Sequence, residues 1–409
     1  MTDAEVIVVG GGPAGASVAF ALARQGVDVL VLDRARFPRS KPCAEYLSPQ
    51  ASRILDDMGA LHSVEQSGAA MLAGVRVRAP NGAVIVGDFV ASHGYRGYRD
   101  RGLSVRREVL DSILLDSARA AGAHVSERTR VTDVLSEKGR VRGVRTLSDE
   151  GESELSARFV VAADGLRSVV AHRLDLAHRM RGPRRLALVT HYTGVAEIGE
   201  QAEMHVENDG YVGIADVGRG VTTVSLVVAA SRSRELSHDR AAFLDNWIAR
   251  RAHLAPRFAD ATRVTPVVAT GPFASRARRA WAPGAALVGD AADFFDPFTG
   301  EGIYAALRGG ELLAASLCDA LSTPSERSAD AALASYDAAR RREFGGKWLV
   351  ERVIGAVVGS PKLINRAARN LAARKDLADL LIGVTGNFVP AHEIIRTGYL
   401  WNVFIGSPQ

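Results

Sequence analysis

The chain has 409 residues, 47% hydrophobic and 24% charged, a balance that supports a large buried core and excludes a disordered or collagen-like chain. Its 51 basic and 46 acidic residues leave a net charge of only +5, spread along the chain, so no nucleic-acid partner is expected. Two cysteines, Cys43 and Cys318, make no disulfide framework, no Cys/His pair has metal-ligand spacing, and no apolar run approaches the roughly 18 residues of a membrane span.

The acidic start, MTDAEVIVVGGG, runs directly into a strand, so no secretory leader is expected and the expected compartment is a reducing cytoplasm. Residues 5–10 (EVIVVG) form a β-branched run that suits a strand buried on both faces. Gly10-Gly11-Gly12-Pro13-Ala14-Gly15 follows, then an Ala-rich helix to about Arg24 and a second strand, VDVLVLD, ending at Asp33 and followed by Arg34. This is a strand–turn–helix–strand unit with G-x-G-x-x-G at the turn. Gly10 permits the tight turn, Gly12 lets the backbone approach a pyrophosphate, and Gly15 lets the helix pack closely on the strand. The helix start offers free N–H groups to phosphates, and Asp33 is placed to accept hydrogen bonds from a ribose diol. Dinucleotide binding is the expectation.

Residues 37–49, FPRSKPCAEYLSP, come next, with Cys43, Glu45 and Tyr46 as candidates for a reaction centre or for a well-packed turn. A short helix is predicted over 50–62, a hairpin around Asn81-Gly82, an amphipathic helix over 107–121 and a strand near His124–Glu127. A second hairpin is predicted at Lys138-Gly139, and ARFVVAADGLRS reads as a strand reaching Asp164-Gly165. From about 184 to 275 the pattern is β-rich, and then GAALVGDAADFFDPFTGEGIYAALRGGELLAASL supplies a buried strand, a loop and a long helix. The tail is mostly helical and apolar. The arginine clusters Arg276–Arg279 and Arg340–Arg342 are read as solvated faces, with contact to anionic ligands or a membrane surface as the alternative.

Three separated motifs resemble the FAD-binding fold shared by single-component flavin monooxygenases, flavin halogenases and geranylgeranyl reductases. They are Gly10–Gly15 with Asp33, Ala163-Asp164-Gly165-Leu166-Arg167-Ser168, and Gly289-Asp290 continuing through Pro297-Phe298-Thr299-Gly300-Glu301-Gly302. The helix opening SVRREVLDSIL also matches, with Arg107 where this family approaches the flavin pyrophosphate. The resemblance implies an α/β chain (α+β overall): a Rossmann-like FAD-binding lobe from 1–183 and 276–330, a β-rich substrate lobe at 184–275, and a helical C-terminal region at 331–409. It implies FAD as cofactor, with Asp290 on the ribityl chain, the Gly300 and Gly302 amides at the isoalloxazine edge, and the helix from Glu301 aimed at the pyrimidine end of the ring. No second G-x-G-x-x-G is present. NAD(P)H or another electron donor is therefore expected as a transient reductant.

Three reactions share this scaffold: oxygen insertion through a flavin C4a-hydroperoxide, halogenation, and reduction of an alkene. Halogenase-like relatives need a lysine between flavin and substrate, and residues 51–137 contain none. KPCAEYLSP looks like the Lys-Pro-Cys…Leu-Ser-Pro segment of geranylgeranyl reductases, but Ala44, Glu45 and Tyr46 replace glycines, and the family's Tyr-x-Trp survives only as Tyr211-Val212-Gly213. The tail, LIGVTGNFVPAHEIIRTGYLW, resembles the C-terminal helices of this reductase-like branch, including hydroxylases of polyketide and lipid-like quinone pathways. The expected activity is a monooxygenase acting on a hydrophobic small molecule such as an aromatic polyketide or lipid-like phenol. Reduction of isoprenoid double bonds is the alternative, and a halogenase or a non-catalytic flavin-binding protein ranks below both. Glu45, Tyr46 and Cys43 are the catalytic candidates, and His191, His205, Tyr211, Phe294 and Phe295 the expected pocket wall. Contact with a membrane surface is kept as a partner expectation, and the oligomeric state is left open.

Overall fold

The computed structural model describes residues 2–179 and 184–406. With short pieces left unlabelled, the chain runs β1 (Ala4–Val9), α1 (Pro13–Ala23), β2 (Val29–Leu32), β3 (Gly74–Arg78), β4 (Val84–Asp88), α2 (Arg107–Ala120), β5 (His124–Ser126), β6 (Arg130–Glu137), β7 (Arg140–Ser148) and β8 (Gly151–Ala162). It continues β9 (Arg185–Thr193), β10 (Gln201–Glu207), β11 (Gly210–Asp216), β12 (Val221–Ala229), β13 (Ala285–Leu287), α3 (Gly302–Ser322), α4 (Glu326–Val358), α5 (Pro361–Ala373), α6 (Lys375–Thr385) and α7 (Thr397–Phe404).

The first sheet has a parallel centre in the order β13-β8-β1-β2-β5, the arrangement that strand–helix–strand connections impose. Val6, Ile7 and Val8 are fully buried at its middle, each contributing about 1.5–3 kcal/mol of apolar burial. The long strand β8 serves two purposes. Its first half pairs antiparallel with β7 (Gly143 opposite Ser156), and its second half pairs parallel with β1 (Phe159 opposite Val6). That handover delivers Ala163-Asp164-Gly165 to the same sheet edge as the glycine turn after β1, because Ala163 N donates to the Val9 carbonyl at 2.8 Å.

The second sheet runs β9-β12-β11-β10-β3-β4, antiparallel except where β10 meets β3. Residues 74–88 thus extend this sheet, a correction to their expected place in the nucleotide-binding lobe: the Asn81-Gly82 hairpin pairs its Val75–Arg78 side with Ala202–His205. The expected lobe boundary at 183/184 falls against residues outside those described. One face of the sheet, carrying Leu188, Val212, Val224 and Leu226, packs on Leu244, Trp247 and Ile248. The other face carries Val189, Val206, Tyr211 and Val227 and meets the C-terminal helices through Val350, Ile364, Leu371 and Leu380. Among the described residues, no helix is long and apolar enough to cross a membrane.

Candidate functional site: a cleft between the glycine turn and the second sheet

The turn after β1 is held by its own backbone. Gly11 N donates to Asp33 Oδ2 at 2.8 Å, and Asp33 Oδ1 accepts from Ala35 N at 2.8 Å, so the carboxylate at the end of β2 ties the two strand ends together. A Cβ on Gly15 would sit 1.8 Å from the Gly10 carbonyl oxygen, so α1 approaches β1 as closely as only glycine allows. Two arginines face Gly12, Arg39 and Arg107, whose Nη2 atoms lie 3.4 and 3.8 Å from where its Cβ would be. Both engage the fully buried Asp111, Arg107 through two bonds of 2.7 Å and Arg39 at 3.1 Å. Arg39 also lies 3.8 Å from Asp33, so the two guanidiniums are held by two carboxylates beside a helix N-terminus, where their N–H groups and the free backbone amides can meet a pyrophosphate.

The FPRSKPCAEYLSP segment forms the next wall. Glu45 is 2% exposed and adopts a left-handed φ of 63°. Its Oε1 accepts from Arg107 N at 2.9 Å, capping the start of α2, and its Oε2 is 2.8 Å from His191 Nε2. His191 Nδ1 in turn lies 3.0 Å from Thr265 Oγ1. Cys43 is a half-buried free thiol whose sulfur accepts from Glu45 N at 3.4 Å. Tyr46 stacks on Phe89 with ring centroids 6.0 Å apart, and its ring lies 2.8 Å from the position a Cβ on Gly300 would take. Gly300, at φ 71°, is therefore required both by its left-handed turn and by this close approach. The Tyr46 hydroxyl is buried without a hydrogen-bond partner, and burial followed by the nearby Glu301 carboxyl pushes its pKa well above the usual value.

The loop before α3 closes the cleft. Phe294, Phe295, Pro297, Gly300, Glu301 and Gly302 all line it, with Gly289 and Asp290 at its floor and Gly165 and Leu166 opposite. Asp290 is 3.7 Å from Lys41. Asp296 caps the short turn that follows by accepting from Phe298 N at 3.1 Å, and it also accepts from Tyr211 OH at 2.6 Å and pairs with Arg185. Glu301 is 5% exposed, and its Oε1 has no partner. Burial lifts its carboxyl to about 7, against the opposing pull of the Lys347 cation and the Thr299 hydroxyl. The second sheet supplies an apolar wall of Ala187, Val189, Met204 and Val227, interrupted by Ser225, whose hydroxyl is buried without a partner.

A family model described as "FAD binding domain" matches residues 3–348. The chain belongs to the FAD-binding domain family. It is similar to the digeranylgeranylglycerophospholipid reductase 2 of Methanopyrus kandleri, 28% identical over 392 residues that span 94% of this chain and 93% of that one. Among solved structures it resembles the myxobacterial chondrochloren halogenase CndH, with TM-score 0.77 and 27% identity over 85% of this chain and 81% of that one. A flavoprotein/dehydrogenase from Cytophaga hutchinsonii shares the fold at TM-score 0.82 and 21% identity, covering 98% of this chain and 96% of the other. These likenesses fix an FAD-dependent oxidoreductase with a Rossmann-like nucleotide-binding fold.

The cleft fits FAD on its own geometry. Gly12, Pro13 and Ala14 at the start of α1, with Arg107 and Arg39, would hold the pyrophosphate, and Asp33 would meet the adenosine ribose. Asp290 faces the path of the ribityl chain, and the amides of Gly300 to Gly302 would meet the ring edge. Asp164 stays just behind the wall, with Oδ2 accepting from Val169 N at 2.7 Å and Oδ1 buried without a partner. Arg34 is exposed and has no ion pair or hydrogen bond among the described residues.

Three expected features sit elsewhere. His191 does not line the cleft; its ring is buried against Glu45 and Thr265. His205 is not part of the cleft wall: Met204, opposite Gly213, faces the cleft, so strand alternation turns His205 to the other face, where it bonds Glu203 at 2.7 Å and stacks on His253. Arg340 belongs to no solvated face; it is 3% exposed and pairs with Asp293 and Asp337. The residues that sequence reasoning missed are Arg39, Asp296 and three on α4, namely Lys347, Trp348 and Glu351. Spacing of i, i+1 and i+4 puts the α4 trio on one helix face, a signal present in the sequence but indistinguishable there from a surface stripe.

Proposed function

We propose that the protein is an FAD-dependent monooxygenase that hydroxylates a mainly apolar small molecule with one hydroxyl-bearing end, such as an aromatic polyketide or a lipid-like phenol. The observation that supports this reading is an apolar wall (Ala187, Val189, Met204 and Val227) in a cleft whose lining residues also hold buried polar atoms without partners, among them Tyr46 OH, Ser225 Oγ and Glu301 Oε1. A buried polar group left unsatisfied costs about 1–3 kcal/mol. A ligand with a polar end that pairs with such atoms is therefore favoured over a plain hydrocarbon chain that leaves them all unpaired. When bound, FAD would supply the electrons and the activation of O2. The chain's own residues have the remaining tasks. Val189, Met204, Val227 and Phe294 exclude water and hold the apolar body, while the unpaired polar atoms of the lining orient the polar end. The reductant, NAD(P)H or another donor, would meet the flavin transiently.

A second reading, reduction of isoprenoid double bonds, is favoured by the name and the end-to-end match of the Methanopyrus kandleri relative. One experiment separates the two. The FAD-loaded protein is reduced without oxygen, mixed with a long-chain alkyl phenol or a prenyl lipid, and then exposed to 18O-labelled O2. Hydroxylated phenol carrying one labelled atom is expected; saturation of the prenyl chain before oxygen is admitted, with no labelled product from the phenol, would overturn the proposal.

A further inference from the structure

The C-terminal helices bury one side against the second sheet and expose the other. Large apolar side chains stand in solvent there: Leu349 and Val353 on α4, Leu363 on α5, Trp401 on α7 and Ile405 at its end, the last two 58% and 54% exposed. Trp401 and Ile405 are four residues apart and share one side of α7. Polar side chains of α5 hold the end of that helix. Arg366 Nη2 donates to the Ile405 carbonyl at 2.9 Å, and Asn370 Nδ2 donates to the Val403 and Gly406 carbonyls at 2.9 and 3.1 Å. Leu363, Arg366 and Asn370 follow at helical spacing, so Leu363 lies on the flank of α5 that meets the end of α7.

The charge around these apolar side chains has one sign. Residues 352–375 hold six cations (Arg352, Lys362, Arg366, Arg369, Arg374 and Lys375) and no acid, more positive charge than the whole chain's net of +5. Beyond Glu393 the sequence carries Arg396 and no acid. Arg374 and Lys375 are taken up by Asp376, Asp88 and Asp379. Lys362 and Arg369 are exposed and have no ion pair among the described residues. With Arg366 they follow at helical spacing along α5, away from the buried side that carries Ile364, Ala367, Ala368 and Leu371.

We propose that this face of α5 and α7 docks on an anionic membrane surface, with Leu363, Trp401 and Ile405 entering the headgroup layer and Lys362, Arg366 and Arg369 meeting the anionic headgroups. Apolar side chains ringed by cations are the composition that such a surface selects, and tryptophan is at home at the boundary between headgroups and acyl chains. A second copy of this chain fits the face poorly, because a two-fold contact would set the same cations against one another. The face is continuous with the cleft through α4, whose Trp348 and Glu351 line the cleft while Leu349, Arg352 and Val353 are exposed. The inference does not depend on which reaction the flavin performs.

The test floats the FAD-loaded protein with vesicles of phosphatidylcholine alone or of equal parts phosphatidylcholine and phosphatidylglycerol. The parent should bind the mixed vesicles at least about 10-fold more tightly than the neutral ones, and added salt should erase that preference. Trp401→Ser combined with Ile405→Ser should weaken binding to the mixed vesicles by about 10-fold or more. Lys362→Glu combined with Arg369→Glu should abolish the preference for anionic lipid. Both double variants change exposed side chains, so flavin absorbance and thermal unfolding should match the parent. Equal binding of the parent to both vesicle types, or binding to neither, overturns the proposal. Full binding by both double variants overturns the assignment to α5 and α7. A parent dimer that Trp401→Ser with Ile405→Ser splits into monomers in sedimentation gives the face to a second copy and overturns the proposal as well.

Discussion

Replacing Glu45 by alanine removes one side of two buried hydrogen bonds at once, from Arg107 N at 2.9 Å and with His191 Nε2 at 2.8 Å. Both partners stay where they are, because Arg107 is pinned by Asp111 and His191 sits in mid-strand opposite Thr223. Each group left unpaired out of water costs about 1–3 kcal/mol, so the substitution should destabilise the fold by about 3 kcal/mol. That is a large share of the roughly 5–15 kcal/mol by which domains are stable. Glu45 also holds φ at 63°, a conformation that costs a residue with a Cβ about 1 kcal/mol and glycine almost nothing.

Three substitutions separate the two effects. Glu45→Gln keeps an oxygen for Arg107 N and offers an N–H to His191 Nε2, so it should cost under about 1 kcal/mol. Glu45→Gly loses both bonds but sheds the backbone strain, so it should be about 1 kcal/mol more stable than Glu45→Ala. The expected order of stability is Gln, then Gly, then Ala, read from urea unfolding of the FAD-loaded and FAD-stripped proteins. Glu45→Ala within about 0.5 kcal/mol of the parent, or Glu45→Gly below Glu45→Ala, would refute the reasoning.

Gly15→Ala would place a methyl group 1.8 Å from the Gly10 carbonyl oxygen, so the protein should purify without flavin absorbance or fail to fold, as absorbance and thermal unfolding will show. Arg39→Ala removes one of the two cations over Gly12 and should weaken FAD binding about 10-fold, measurable by flavin fluorescence titration. Arg107→Ala goes further: it strips the fully buried Asp111 of its bidentate partner and leaves only Arg39 at 3.1 Å, so it should cost about 1–3 kcal/mol in unfolding experiments. Away from the cleft, burial alone would raise the Glu203 carboxyl, but hydrogen bonds from His205 and Arg257 carry it down to about 2. A depressed carboxylate contributes stability above its unfolded value that is lost as pH falls towards its folded one. The Glu203→Gln variant should therefore lose less stability than the parent between about pH 4.5 and 2 in thermal unfolding.

The cofactor half of the cleft was legible because its parts are local. The turn after β1, the helix behind it and Asp33 lie within one strand–helix–strand unit, and each glycine is dictated by backbone geometry that any chain with this turn must satisfy. The substrate half was not, because its contacts join distant segments. Glu45 meets His191 across 146 positions, and no pattern in either segment names the other. Strand alternation made His205 and Tyr211 equally eligible for the pocket. Only the register of β10 against β11, with Met204 opposite Gly213 and Val206 opposite Tyr211, decides that Tyr211 shares the inner face and His205 does not. Residues 74–88 misled for a similar reason. A hairpin announces its turn, but not the sheet edge that receives it.

The two halves also differ in how they are assembled. The FAD half is shaped by glycine contacts and backbone amides, with Arg39, Arg107 and Asp33 anchored beside them, so its parts lie close along the chain or against one turn. The substrate half is assembled from side chains of three segments that meet only in the folded chain: Glu45 and Tyr46, Asp296 to Glu301, and Lys347 to Glu351. Where the resembled reductases carry glycine after the cysteine, this chain spends Glu45 on positioning α2 and β9 and Tyr46 on filling the space beside Gly300. Those two side chains line the cleft, and the Tyr46 hydroxyl is left buried without a partner. A shared frame can therefore carry a different reaction. The frame governs where the flavin lies, whereas under the proposed function the desolvated polar atoms of the lining, each costing about 1–3 kcal/mol when left unpaired, would bear on which substrate ends can enter.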